Sequence, residues 1–281
     1  MLSVAPLLRN LASYALSLLP TYAVAATATA LFLYLEFAVP PPLSTRFDPA
    51  DRAIARSYTS RETVSAGQCV LLAAAVPAAA ITWWCVVARD ALRRRRPAPR
   101  PRVACPEWLP AAAHLYHVTC VALVAALALT GVATNALKLA LANRRPDFLA
   151  RCQLPARADW PADAADARGR VAAALCGAAL GGADDHAVLL EGLKSTPSGH
   201  ASLAAAGLGF LWWWQTQCVA VPRARHAWCL GVVALVMVSR VADHRHHWYD
   251  VVLGAALGAG VAAGVWARTM SRAAAPGVLP A

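Results

Sequence analysis

The sequence predicts an all-α protein, a bundle of six transmembrane helices with polar side chains gathered at the non-cytoplasmic membrane face. Three observations carry this expectation. Of the 281 residues, 59% are hydrophobic and 15% charged, with a mean hydropathy of +0.47, a bias beyond that of ordinary soluble domains. Uncharged runs recur at lengths that cross ~30 Å of hydrocarbon as helix. The polar residues that interrupt them fall in three groups, each at the same end of its span.

Leu11–Leu35, Thr63–Ala88 and Trp108–Leu137 are the long apolar runs. Ala201–Val221, Ala227–Val238 and Val251–Ala267 lie near or below the usual ~17 to 25 residues, the fifth being the weakest. Arg9 ahead of the first run raises a signal peptide as an alternative, but the run exceeds the ~7 to 15 residues of a signal h-region. Pro40-Pro41-Pro42 closes span one, because three successive residues lack an amide donor. A polar connection from Leu43 to Glu62 follows.

Between spans two and three, Arg89, Arg93-Arg94-Arg95-Arg96, Arg100 and Arg102 alternate with Pro97, Pro99 and Pro101. This 89–107 loop is too charged and Pro-rich to fold compactly, and the positive-inside rule assigns it to the cytoplasm. Both termini and the turn with Arg223 and Arg225 then share that side. Pro40–Glu62, Asn143–Gly199 and Arg240–Asp250 face the other. The long 143–199 loop also carries Arg residues, offset by Asp147, Asp159, Asp163, Asp166, Asp184, Asp185 and Glu191. No repeat or second domain is evident, so 1–281 reads as one integral-membrane domain with its core at about 108–269.

The net charge of +11 invites a nucleic-acid partner, yet no zinc-finger, RNP or helix-turn-helix pattern is present. Anionic lipid headgroups and an anionic substrate account for it better. Among eight cysteines, Cys69, Cys85, Cys120 and Cys229 fall in or beside apolar spans as small packing residues. Cys152 and Cys176 share the long non-cytoplasmic loop, where a disulfide is permitted, though spacing alone leaves the pairing open.

The first polar group runs from Lys138 through Arg145-Pro146-Asp147. Seven residues separate Lys138 from Arg145, about two helical turns, so a persisting helix sets both on one face ~10 Å apart. Basic residues also anchor helix ends, but a Lys this far inside the end is less ordinary. The second is Pro197-Ser198-Gly199-His200, opening span four. Ser198 suits an N-cap, Gly199 admits a ligand close to the backbone, and the helix start offers amides to a phosphate. An N-cap with an interfacial His is the plainer alternative.

The third group runs from Ser239-Arg240 through Asp243, His244, Arg245, His246, His247 and Asp250. His246 and Asp250 are four apart, so at a helix start they share a face. The carboxylate can then hold one imidazole nitrogen while the other attacks, and Arg240 adds a planar cation matched to phosphate. Transition-metal binding by His244, His246, His247 and Asp243 is the competing reading, without the spacing of a known site.

The strings KxxxxxxRP at 138–146, PSGH at 197–200 and SRxxxxxHxxxD at 239–250 resemble the three-part signature of the type 2 phosphatidic acid phosphatase superfamily. That superfamily includes glucose-6-phosphatase, bacterial acid phosphatases and vanadium haloperoxidases. Arg46-Phe47-Asp48-Pro49, Arg61-Glu62-Thr63-Val64, Arg151-Cys152, Gly192-Leu193-Lys194-Ser195 and His246-His247-Trp248-Tyr249-Asp250 extend the resemblance to eukaryotic lipid phosphate phosphatases. Among these the sequence resembles fungal diacylglycerol pyrophosphate phosphatases in particular. Asn143 stands where those enzymes often have Gly, and Thr196 where Phe is common.

The resemblance implies a metal-independent lipid phosphatase without a cofactor, acting through a phosphohistidine. His246 would be the nucleophile, Asp250 its orienting carboxylate and His200 the acid. Lys138, Arg145, Arg240 and the backbone at Ser198 and Gly199 would hold the phosphate. Phosphatidate, diacylglycerol pyrophosphate and lysophosphatidate are the expected substrates, with isoprenoid or sphingoid phosphates as alternatives. The expected site opens to the exterior or to the lumen of the vacuole or Golgi. A lipid-phosphate-binding protein without turnover is the alternative from a different class.

Overall fold

The computed structural model describes residues 4–92, 99–177 and 181–270; Arg93–Arg96 and Pro97 of the basic loop lie outside the described residues. Nine α-helical segments of five or more residues are described: α1 Val4–Ser17, α2 Leu19–Phe37, α3 Ala66–Val87, α4 Ala111–Leu141, α5 Phe148–Cys152, α6 Ala183–Gly192, α7 Gly199–Cys218, α8 Trp228–Ala242 and α9 Trp248–Thr269. Four of them, α3, α4, α9 and α8 with its preceding turn, are long and apolar enough to cross a membrane, and α1 with α2 would form a fifth span if one broken unit. The chain is therefore a helical protein with four to five candidate spans.

The expected helix over Leu11–Leu35 is broken. α1 and α2 meet at an angle of 61°, because Pro20 in the first turn of α2 cannot donate back to the preceding turn and its ring crowds it. The helix too polar to count among these apolar spans is also not the one expected to be weakest. α7 has 20 residues, but His200, Ser202, Gln215, Thr216 and Gln217 dilute its hydropathy. It is the inner helix, packed by α3, α4, α8 and α9, with Ala204, Leu208, Leu211 and Trp214 buried in the main apolar core.

Close backbone packing explains how polar side chains fit around α7. A Cβ on Gly254 or Gly258 of α9 would lie 2.5 Å from the Ser198 carbonyl or 2.0 Å from that of Ser202. This Gly-x-x-x-Gly face lets two helix backbones touch, the usual small-residue solution between helices in lipid. In α3, Leu71–Ala75 and Trp83–Val87 widen to π geometry; Pro77 cannot bond to the Ala73 carbonyl, and that carbonyl is the atom Gly207 approaches. Across the bundle, Trp214 donates to Thr119 at 3.1 Å.

α1 is tied to the start of α4 by a directed chain of hydrogen bonds. His114 Nε2 lies 3.0 Å from the Val103 carbonyl, which can only accept. Its Nδ1 therefore accepts from Tyr14, whose oxygen receives His117 Nδ1–H, and His117 Nε2 accepts from Tyr22.

An extramembrane cap departs from the all-helical expectation. β1 Arg46–Phe47 pairs antiparallel with β2 Val171–Ala172, and Phe47, Ile54, Phe148, Val171, Leu189 and Leu193 form a separate core. The phenyl rings of Phe47 and Phe148 meet edge to face at 5.0 Å. Cys152 and Cys176 are disulfide-bonded across 24 residues, a crosslink of the order of ~3 kcal/mol for such a loop.

Candidate active site

α4 and α8 end, and α7 and α9 begin, at one end of the bundle, so the three polar groups of the sequence meet there. They line a cavity of about 490 Å³ together with apolar residues of α2 and α3. α3 ends and α4 begins at the opposite end.

Lys138 and Arg145 both face this cavity, but not through a continuous helix. α4 ends at Leu141, and Ala142 takes a left-handed conformation with φ 42°, which terminates the helix as an αL cap. The chain then turns back, and Arg145 is fixed by its amide to the Gly192 carbonyl at 2.9 Å and by its guanidinium to Glu191 at 3.0 Å. The expected two-turn helical spacing is thus replaced by a loop. Asn143 sits in that turn and holds Arg144 N.

Ser198 caps α7 through its hydroxyl, which accepts from Ala201 N. Its own amide donates to the Asp250 carbonyl at 3.0 Å, so the expected phosphate contact from this N–H is already spent. Gly199 has a different steric role: a Cβ there would stand 3.2 Å from Lys138 Nζ, so the missing side chain lets the ammonium approach the start of α7. His200 lines the cavity, and its Nε2 is buried without a hydrogen-bond partner among the described residues.

Arg240 is 1% exposed and donates to Glu62 at 2.9 Å and to the Val64 carbonyl at 3.0 Å. Its Nε and that of Arg145 are buried without partners among the described residues, which is how donors awaiting an anion present themselves.

His246 is 2% exposed, and its Nδ1 lies 2.8 Å from the Ser195 carbonyl. A carbonyl can only accept, so Nδ1 carries the proton and Nε2 keeps its lone pair. Asp250 does not make this contact; its carboxylate stands 3.9 Å from Nδ1. Instead it accepts from Ser195 Oγ at 2.7 Å, from Thr196 Oγ1, and from His247 N at 2.8 Å. The anticipated His246–Asp250 hydrogen bond is therefore replaced by a route through the 195–196 loop. Helical spacing does not decide it, because His246 precedes α9 and only Asp250 is inside it.

Burial, then the cations Arg145, Arg240 and Lys138, keep His246 well below the ordinary histidine pKa and therefore neutral. Glu191 would be raised by burial, but Arg145, Lys138 and Lys194 outweigh this and hold it at about 2. Glu62 is likewise lowered against burial by Arg240 and Arg245. Burial brings Arg145 down to about 10 despite Glu191.

Glu62 and Glu191, which line the cavity, and Ser195, Thr196 and Arg245, which contact its residues or Asp250, were not assigned by the motif reading. Arg245 reaches Glu62 at 3.1 Å and the Thr59 carbonyl. The two positions that depart from the resembling enzymes touch each other: Asn143 Nδ2 donates to Thr196 Oγ1 at 2.7 Å, and Thr196 donates on to Asp250. The three histidines proposed for a metal diverge, His244 to Ser57, His246 to Ser195, and His247 to Asp250 and the Ala53 carbonyl. Among the described residues no three His, Cys, Asp or Glu side chains converge as metal ligands.

Comparison with known proteins identifies the family. Residues 119–273 match the PAP2 superfamily. Lipid phosphate phosphatase 1 of Saccharomyces cerevisiae is 33% identical over 260 residues, 92% of this chain and 91% of that protein. Diacylglycerol pyrophosphate phosphatase 1 of the same yeast is 36% identical over 46% of this chain and 43% of its own length. Lipid phosphate phosphatase 2 of Arabidopsis thaliana is 39% identical over 50% and 47%. No solved structure matches the chain at a comparable level. With more than half its length matched by the family and a full-length relative at this identity, the chain belongs to the PAP2 superfamily of phosphatases.

Proposed function

We propose that this PAP2 phosphatase hydrolyses phosphate from membrane lipids, phosphatidate and diacylglycerol pyrophosphate first among them and lysophosphatidate with them, through a phosphohistidine on His246. One observation carries the reading: a neutral imidazole whose Nδ1–H is fixed by the Ser195 carbonyl leaves Nε2 as a lone-pair nucleophile in the same cavity as Lys138, Arg145, Arg240 and His200.

A phosphomonoester resists attack because its negative charge repels the nucleophile, and catalysis is largely neutralisation and positioning. Lys138, Arg145 and Arg240 supply that charge, the part a metal ion plays in other phosphatases, so no metal is required by this scheme. Nε2 of His246 attacks phosphorus as the P–O bond to the lipid alcohol breaks. A phosphate that enters as the monoanion supplies a proton to His200, which gives it to the departing oxygen. The resulting phosphoimidazolium gains a charge-assisted bond from Nδ1–H to Ser195, with Asp250 behind it. Neutral His200 next takes a proton from water, hydroxide attacks phosphorus, the P–N bond breaks, and inorganic phosphate leaves with His246 neutral again.

The same scheme sets the chain in the bilayer with six crossings, α1–α2 counted once and α7 buried among the rest, and the cavity at the non-cytoplasmic face. It would open to the exterior or to the lumen of the vacuole or Golgi. Purified protein assayed in chelator on phosphatidate, diacylglycerol pyrophosphate and lysophosphatidate tests the proposal. Wild type releases phosphate, and His246→Ala loses nearly all turnover; appreciable activity in that variant, or activity restored only by added metal, would overturn it. A protein that binds lipid phosphate without turnover would show no release from any member of the panel.

A further inference from the structure

The reaction scheme leaves one carboxylate of the cavity without a task. Glu62 and Glu191 are each engaged by two cations, Arg240 and Arg245 for the first, Arg145 and Lys194 for the second. Glu36 lines the same cavity, yet no cation is within ion-pair distance of it among the described residues, and its only side-chain hydrogen bond there is from the amide of Asn135, whose Nδ2 donates to Oε2 at 2.8 Å. A carboxylate beside an anion site weakens binding of a dianion, so its place there calls for a positive contribution.

The fold puts it there by a specific packing device. A Cβ on Gly131 of α4 would lie 2.5 Å from the Phe32 ring of α2, so Gly131 brings the two helices close. One turn further along each, Glu36 meets Asn135, and Asn135 lies one turn before Lys138 on the same face of α4. Asn135 is 4% exposed, and its amide fixes one carboxylate oxygen while leaving the other for the cavity.

We infer that Glu36 is a specificity residue, a subsite accepting a hydrogen bond from a donor group on the lipid backbone next to the phosphate, a hydroxyl or an ammonium. The inference rests on the lipid phosphatase reading and narrows it. Phosphatidate, with both glycerol hydroxyls esterified, offers no such donor. Lysophosphatidate offers a hydroxyl, and a sphingoid-base phosphate offers an ammonium with a hydroxyl.

The test compares kcat/KM of the full chain and of Glu36→Ala and Glu36→Gln on these three substrates. The Gln variant keeps the side-chain volume and the bond from Asn135 but turns its amide N–H₂ to the cavity. Both variants are expected to lose about tenfold or more on donor-bearing lipids, the size of a lost hydrogen bond to a charged group, with phosphatidate turnover kept or raised. Loss confined to the sphingoid phosphate would assign the ammonium; loss on lysophosphatidate as well would assign donors generally. Equal loss on all three, or unchanged ratios, would overturn the inference while wild-type activity leaves the phosphatase reading standing. A wild type inactive on every lipid would instead remove that reading.

Discussion

Removing the Ser195 hydroxyl separates the two ways Asp250 could serve His246. Ser195→Ala keeps the backbone carbonyl that accepts from His246 Nδ1 at 2.8 Å and deletes only the 2.7 Å bond from Ser195 Oγ to Asp250. If Asp250 acted on the imidazole directly, the variant would be nearly silent. Because the carboxylate stands 3.9 Å from Nδ1 and holds the 195–196 loop instead, we expect the loop to lose one of its two side-chain ties to Asp250, the bond from Thr196 remaining. A buried hydrogen bond to a charged group is worth about 1.5–3 kcal/mol, so kcat should fall by about 10- to 150-fold if the whole loss appears in the transition state. KM should change little, since the phosphate-binding cations are untouched.

The assay is steady-state phosphate release with single-turnover trapping of the phosphoenzyme, for Ser195→Ala, Asp250→Asn and the double variant. Residues acting through one bond are strongly non-additive in such a cycle. A kcat within twofold of wild type for Ser195→Ala, or fully additive losses in the double variant, would refute the indirect route.

Arg240→Gln removes a cation that disfavours protonation of His246; with the cation gone the imidazolium is less opposed, its pKa rises, and the acid limb of phosphoenzyme formation should move to higher pH. In wild type that limb should lie well below 6.5, so formation persists as the pH falls through the ordinary histidine range. Gly258→Val places a Cβ where 2.0 Å separates it from the Ser202 carbonyl; α7 and α9 must part, and detergent size-exclusion should show aggregated protein, whereas a monodisperse active variant would contradict the packing. Cys152→Ser should destabilise the cap by ~3 kcal/mol and be read as faster proteolysis of the 143–199 segment with the bundle intact. Thr196→Val breaks the link from Asn143 to Asp250; its effect on kcat should not add to that of Asn143→Ala, which a double-variant cycle measures.

Much of the bundle could be read directly because apolar length is a local property. The runs that became α3, α4, α8 and α9 are visible without any knowledge of their neighbours, and so is Pro20, which bends the run shared by α1 and α2. α7 was harder to weigh: its polar residues are tolerated because other helices enclose it, and enclosure is not written in a single segment. Among the residues that line the cavity, Lys138, Arg145, His200, Arg240 and His246 were legible from residue type and spacing, since few structural reasons place such groups at the ends of apolar helices. Glu36 carries the same signal, a carboxylate ending an apolar run.

What the sequence determined by itself was the inventory: which stretches are apolar enough to be helices in lipid, and which cations, histidines and carboxylates interrupt them. Only the tertiary structure decided the partners. Whether Nδ1 of His246 meets Asp250 or the Ser195 carbonyl, whether Asn143 finds Thr196, and whether Gly199 gives its space to a phosphate or to Lys138 depend on loops that reverse at Ala142 and pack over the helix ends. Hydrogen bonds form over about 3 Å, whereas residues such as Asn143 and Thr196 are 53 positions apart in the chain, and no periodicity within a segment reports so short a distance between two segments.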